Sequence, residues 1–151
     1  MPGPIPSHDR PLALLMVVAG LAEIFVGVLH FVMPPFYQRS EGLGALNSPE
    51  ADYVILVTYA TGLLLITFGV LTMGALTVPD LPYSLLFAYL MIQAVLWAAR
   101  LLLEILFPLK LDMFGIDPFT AVVLPGLTLE TGIFIAAASR VRVVADNGAA
   151  L

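Results

Sequence analysis

Four apolar stretches, each about as long as a bilayer is thick, constrain this chain more than any other feature. A helix needs roughly 20 residues to cross the hydrocarbon core. The stretches run from about Leu12 to Met33, Tyr53 to Val78, Pro82 to Phe107 and Phe119 to Ser139. Their edges are marked by residues that start or stop helices. Pro11 suits a first helical turn, Pro34-Pro35 ends the first stretch, Pro108 closes the third, and Asp117-Pro118 supplies an N-cap and first position for the fourth. Composition agrees. Only 11% of the 151 residues are charged, against about 25% in soluble domains. A chain that is 60% hydrophobic, with a mean hydropathy of +1.01, cannot cover a water-facing surface with polar groups. It also has too much apolar surface to remain disordered.

The expected fold is therefore all-α, a single integral membrane domain built as an up-down four-helix bundle. The loops support this. The turn at Pro79-Asp80-Leu81-Pro82 is tight and the third connection, Pro108 to Asp117, is short, so sequential helices should be antiparallel neighbours. The first loop, Pro34 to Asp52, is the longest and most polar, and the tail beyond Arg142 is expected to fray. An even number of spans puts both termini on one side. That side carries Arg10, Arg140 and Arg142, and the other carries Arg39 and Lys110. The excess of one positive charge favours cytoplasmic termini in a plasma (inner) membrane. The first stretch is longer than a signal-peptide core, and no A-x-A-like cleavage site follows it, so it reads as a retained helix.

Several chemistries are excluded. The chain has no cysteine, which removes disulfides, zinc–thiolate sites, iron–sulfur ligation and thiol nucleophiles. A net charge of −5 without a basic run speaks against nucleic acid. No Glu-x-x-His pair of the di-iron kind is present, so no metal is expected. His8 and His30 fall on opposite sides, which disfavours bis-histidine haem. No serine sits near His30 for a hydrolase triad, and no glycine-rich phosphate loop exists.

The informative residues are five ionisable groups inside the spans, since each costs about 2.5–3.5 kcal/mol to insert. They are Glu23 and His30 in the first helix, Arg100 and Glu104 in the third, and Glu130 in the fourth. Glu23 and His30 are seven residues apart and share a face with Gly20 and Gly27. Small residues there would let another helix come close. In the second helix Thr58, Gly62, Leu65, Gly69 and Thr72 form a small, polar seam able to supply hydroxyl partners. In the third, Gln93, Trp97, Arg100 and Glu104 form one stripe; in the fourth, Gly126 and Glu130 share a face. At 1.5 Å per residue, Glu23 and Glu130 lie roughly 15 Å from the nearest helix ends, Arg100 about 11 Å, and His30 and Glu104 about 5 Å. The five fit one funnel opening toward the first and third loops. One arginine cannot neutralise three glutamates, so at least one carboxylate is expected to be neutral. Plainer roles are open to each residue: an i, i+4 pair for Arg100 and Glu104, a hydrogen bond to a loop carbonyl for His30, packing for Trp97 and Tyr89, and interface anchoring or near-interface packing for Tyr53, Tyr59 and Tyr83.

The segment Gly27-Val-Leu-His30-Phe31-Val-Met-Pro34-Pro35-Phe36-Tyr37 resembles the end of the first helix in DoxX-like membrane proteins, with Gly-x-x-His-Phe followed by proline and an aromatic pair. Gly62 and Gly69 in a leucine-rich run are broadly similar to that family's second helix. The resemblance implies a four-helix protein of this size that binds a lipophilic ligand such as a quinone or lipid, or serves as membrane subunit of a redox complex. Arg100 would orient an anionic or carbonyl head group and His30 would exchange a proton. Glu23 and Glu130 would set the local charge, with Gln93 and Thr58 as secondary contacts. A quinone is the one cofactor implied, and no independent catalysis follows. Expected partners are the lipid bilayer, the ligand, and a homo-oligomer or larger membrane complex. Leu21-Ala22-Glu23 is also similar to the Ala-Glu of small multidrug resistance transporters, which gives a second expectation: proton-coupled transport through a midplane glutamate. A purely structural membrane subunit is the third.

Overall fold

A computed structural model describes residues 9–32, 34, 48–78, 81–106 and 122–148. Those residues contain four α-helices and no strand: α1 (Arg10–Val32), α2 (Ser48–Gly74), α3 (Tyr83–Leu106) and α4 (Leu124–Gly148), with one 3-10 turn at Ala75–Thr77. The chain forms two compact units, Met1–Ala19 with Gly74–Leu151, and Gly20–Met73.

The helix starts follow local chemistry. The Asp9 carboxylate accepts the Leu12 amide at 3.2 Å and its carbonyl accepts the Ala13 amide at 3.0 Å, so Asp9 caps α1 and Pro11 sits in the first turn. The second helix begins five residues before the expected Tyr53. Pro49 and Glu50 follow Ser48, and both suit a first turn: proline gives up an amide that would be unpaired, and an acid favours the N-terminal dipole. In α3 the Pro82 carbonyl accepts the Leu85 and Leu86 amides at 3.0 and 3.1 Å.

The fourth helix corrects the expected end at Ser139 and the frayed tail. It continues through Arg140 and Arg142 to Gly148. Arginine ends an apolar stretch but is a good helix former, and Val141 between the two is fully buried. The Asp117-Pro118 cap, Pro35 to Tyr37 of the resemblance segment, Pro108, Arg39 and Lys110 lie outside the described residues.

Among the described residues, three helical segments are long and apolar enough to cross a membrane: Arg10–Val32, Pro49–Thr77 and Tyr83–Leu106. The surfaces of these three segments and of α4 invert the soluble pattern. Leu14 and Phe25 on α1, Leu56 and Leu63 on α2, Ile92 and Val95 on α3, and Leu129 and Ile135 on α4 are all exposed, whereas Glu23, Gln93, Glu104 and Glu130 are buried. Water would penalise such a surface, and hydrocarbon would not.

Within Gly20–Met73, Gly20 of α1 faces Gly69 of α2 and Gly27 faces Gly62. Numbering rises on one helix as it falls on the other, so the two are antiparallel. Within the other unit α3 packs along α4. Arg140 of α4 binds Asp9, and Asp9 acts electrostatically on Tyr83 at the start of α3. The start of α3 and the late turns of α4 thus share one end, and α3 and α4 also run antiparallel. The core of this unit includes Leu12, Met16, Leu86, Leu90, Phe134 and Val141, all buried.

Candidate functional site

The glycines of α1 and α2 bring two backbones into contact. A Cβ added at Gly20 would lie 2.7 Å from the Gly69 carbonyl oxygen, and one at Gly27 would lie 2.7 Å from that of Gly62. No side chain larger than hydrogen fits unless the helices move apart. This closeness lets two side chains meet where they would otherwise be too short. Thr72 donates its hydroxyl to Glu23 Oε2 at 3.1 Å, and both residues are 0% exposed. Glu23 is nine residues from the end of α1 at Val32, or roughly 14 Å along the axis. The seam read from sequence is therefore present at Gly62, Gly69 and Thr72, and Thr72 supplies the hydroxyl partner expected of it.

His30 and Thr58 turn inward on their own helices. His30 Nδ1 lies 2.8 Å from the Val26 carbonyl oxygen; as donor there, it leaves Nε2 as the acceptor. Thr58 donates to the Val54 carbonyl at 2.8 Å. His30 thus has a carbonyl partner, but from its own helix and not from the loop expected. Phe31 stacks on Tyr59, centroids 5.5 Å apart.

The stripe on α3 is mostly buried. Gln93, Trp97 and Glu104 belong to it, and Gln93 Nε2 donates to Tyr89 Oη at 3.0 Å. Arg100 departs from the stripe. Its guanidinium donates to Glu104 Oε1, giving the i, i+4 pair, yet its side chain is 53% exposed while that of Glu104 is 7% exposed. On α4, Glu130 is 5% exposed on a face shared with Leu127, Thr131 and Phe134. Gly126 does not share that face in use: a Cβ there would meet nothing within 4 Å. Gln93 is ten residues from Tyr83 and Glu130 ten residues from Arg140. The buried amide and the buried carboxyl therefore each lie roughly 15 Å along their helices from those residues.

The expected residues therefore fall into two sets. Glu23, His30 and Thr58 belong to Gly20–Met73, and Gln93, Arg100, Glu104 and Glu130 to the other unit. The Asp9–Arg140 pair lies outside both sets of expected residues. Arg140 Nε donates to both Asp9 oxygens, at 3.0 and 3.3 Å. Asp9 in front of Arg10-Pro11 carries the signal of an N-cap, but no pattern in the sequence ties it to a residue 131 positions away. Among the described residues no group of three or more His, Asp or Glu side chains could hold a metal ion.

No protein-family model, curated protein or solved structure matches this chain.

Proposed function

We propose that the chain is a four-span integral membrane protein, DoxX-like in its first helix, that holds a lipophilic ligand such as a quinone or a lipid, alone or as membrane subunit of a redox complex. The observation that carries this reading is the asymmetry of the Arg100–Glu104 pair. The carboxylate is buried and the guanidinium is half open, on a helix whose side chains are mostly apolar. A charge held in such a span is costly, and an open guanidinium there offers donors to a head group. The crossing of α4 is supported by the Asp9–Arg140 contact, which returns the chain to the end where α1 began. Arg10, Arg140 and Arg142 then share a side, which favours cytoplasmic termini.

The test is extraction of the purified protein followed by mass spectrometry. A stoichiometric quinone or lipid that is lost in Arg100→Ala supports the reading, and an extract without any such compound rejects it.

A second reading, proton-coupled transport, draws on the full burial of Glu23 near mid-span. Substrate-dependent proton flux in vesicles that disappears in Glu23→Gln would establish it. Absence of flux in the parent protein would end it.

A further inference from the structure

Arg100 points away from the buried face of α3. One turn to either side of it lie Trp97 and Glu104, both buried, and Leu96 and Leu103, 47% and 52% exposed, so Arg100 stands at the border between the buried face and an outward, apolar strip. Its bond to Glu104 draws it along the helix toward Leu106, where α3 ends. Glu104 is two residues from that end, roughly 3 Å along the axis. The side chain thus lies along the apolar strip and carries its charge to the level where hydrocarbon gives way to head groups, the geometry of a snorkelling arginine.

Charge and donor counting narrow the occupant. A guanidinium has five N–H donors, and the Glu104 contact engages one of its nitrogens. The side chain is 53% exposed, so its remaining donors can be reached from outside, and a guanidinium's planar fork matches two oxygens of a phosphate. The Arg100–Glu104 pair is neutral overall, so a group with a single ionised oxygen suits it better than a dianion. A phosphodiester has that charge, and a membrane phospholipid also brings acyl chains to lie along Leu96 and Leu103.

We propose that Arg100 binds the phosphodiester of a membrane phospholipid in the leaflet at the C-terminal end of α3, with the acyl chains against Leu96 and Leu103. This rests on the reading of the chain as a membrane protein that holds a lipophilic ligand, and it names that ligand's class.

The experiment is native mass spectrometry of the full chain in mild detergent, titrated with phosphatidylglycerol or with diacylglycerol of the same chains. The parent should bind one phosphatidylglycerol and discriminate against diacylglycerol. Arg100→Gln should weaken phosphatidylglycerol binding about tenfold, the scale of one hydrogen bond to a charged group. Arg100→Lys should restore part of it, because a point charge replaces the fork without its geometry. Equal binding of phosphatidylglycerol by the parent and Arg100→Gln overturns the proposal. So does equal binding of the two lipids by the parent, which decides the matter even where a variant fails to fold. An Arg100-dependent quinone or other phosphate-free lipid overturns this proposal and leaves the proposed function standing. A parent protein that holds no lipophilic compound overturns both.

Discussion

In Gly20–Met73 two helices meet backbone to backbone, whereas the buried faces of α3 and α4 carry large side chains. The first contact is made by Gly20, Gly27, Gly62 and Gly69. The second involves Leu86, Leu90, Trp97 and Phe134. Lipid tails are as apolar as leucine, so burying apolar area gains little in a bilayer and association depends on packing and on polar contacts between helices. The two regions solve that problem in opposite ways. The glycine seam removes side chains until the backbones touch and one carboxyl and one hydroxyl can meet. The buried faces of α3 and α4 carry bulk, with Gln93, Glu104 and Glu130 buried among it. The consequence is a difference in sensitivity: the seam should be harmed by enlargement, and the α3–α4 contact by truncation.

Truncation gives the largest expected effect. Phe134 is 0% exposed, and Phe134→Ala should cost about 3–5 kcal/mol, the loss of packing plus the cavity left behind. Reversible unfolding in mixed micelles would measure it. A cost below 1 kcal/mol would mean that α3 and α4 collapse around the gap, and the contrast with the seam would fail.

Enlargement of the seam comes next. In Gly69→Ala the new Cβ would lie 2.7 Å from Ile24 Cγ1 and would also press on the Gly20 carbonyl. The isoleucine can swing away, but a backbone oxygen cannot. Over-packing of this kind costs about 1–3 kcal/mol, and the helices should separate enough to be seen as weaker disulfide trapping between cysteines introduced across α1 and α2. Unchanged trapping and stability would show that the two backbones do not need to touch.

The Glu23–Thr72 bond sharpens the comparison on the polar side. Thr72→Val keeps the shape and removes the hydroxyl. Interhelical hydrogen bonds in membranes average about 0.6 kcal/mol and reach about 1.7. The full burial of both partners puts the expected loss toward the upper end, about 1–1.5 kcal/mol. The same unfolding measurement reads it, and Thr72→Ser should retain most of the stability.

Much of this was legible in the sequence, and the reasons are periodic. Residues seven apart return to the same helix face, so Gly20, Glu23, Gly27 and His30 could be grouped without a structure. The same rule grouped Gly62, Gly69 and Thr72. Spacing of three and four also identified Gln93, Trp97 and Glu104 as one buried stripe. Arg100 satisfies that spacing and still turns outward, because a long, flexible side chain need not follow the face its Cα occupies. Gly126 fails for a related reason: spacing assigns a direction, but cannot say whether a neighbour occupies it. The Asp9–Arg140 contact joins opposite ends of the chain, where no local period operates. The end of α4 is not legible from hydropathy, because loss of hydrophobicity is not loss of helix and the two arginines bring only the former.

Gly132 gives the smallest effect and the sharpest control on the glycine argument. It lies within α4, and an added Cβ would meet nothing within 4 Å. Glycine here holds no close approach, unlike the four glycines of the seam, so its main contribution is the backbone freedom it gives the unfolded segment. Gly132→Ala should therefore stabilise the helix by about 0.5–1 kcal/mol, opposite in sign to Gly69→Ala. If both substitutions destabilised the protein equally, the cost would come from glycine's place in a helix generally and not from backbone contact. Opposite signs would tie the cost to the seam, where the neighbouring helix carries its carbonyl oxygens into the space a side chain would need.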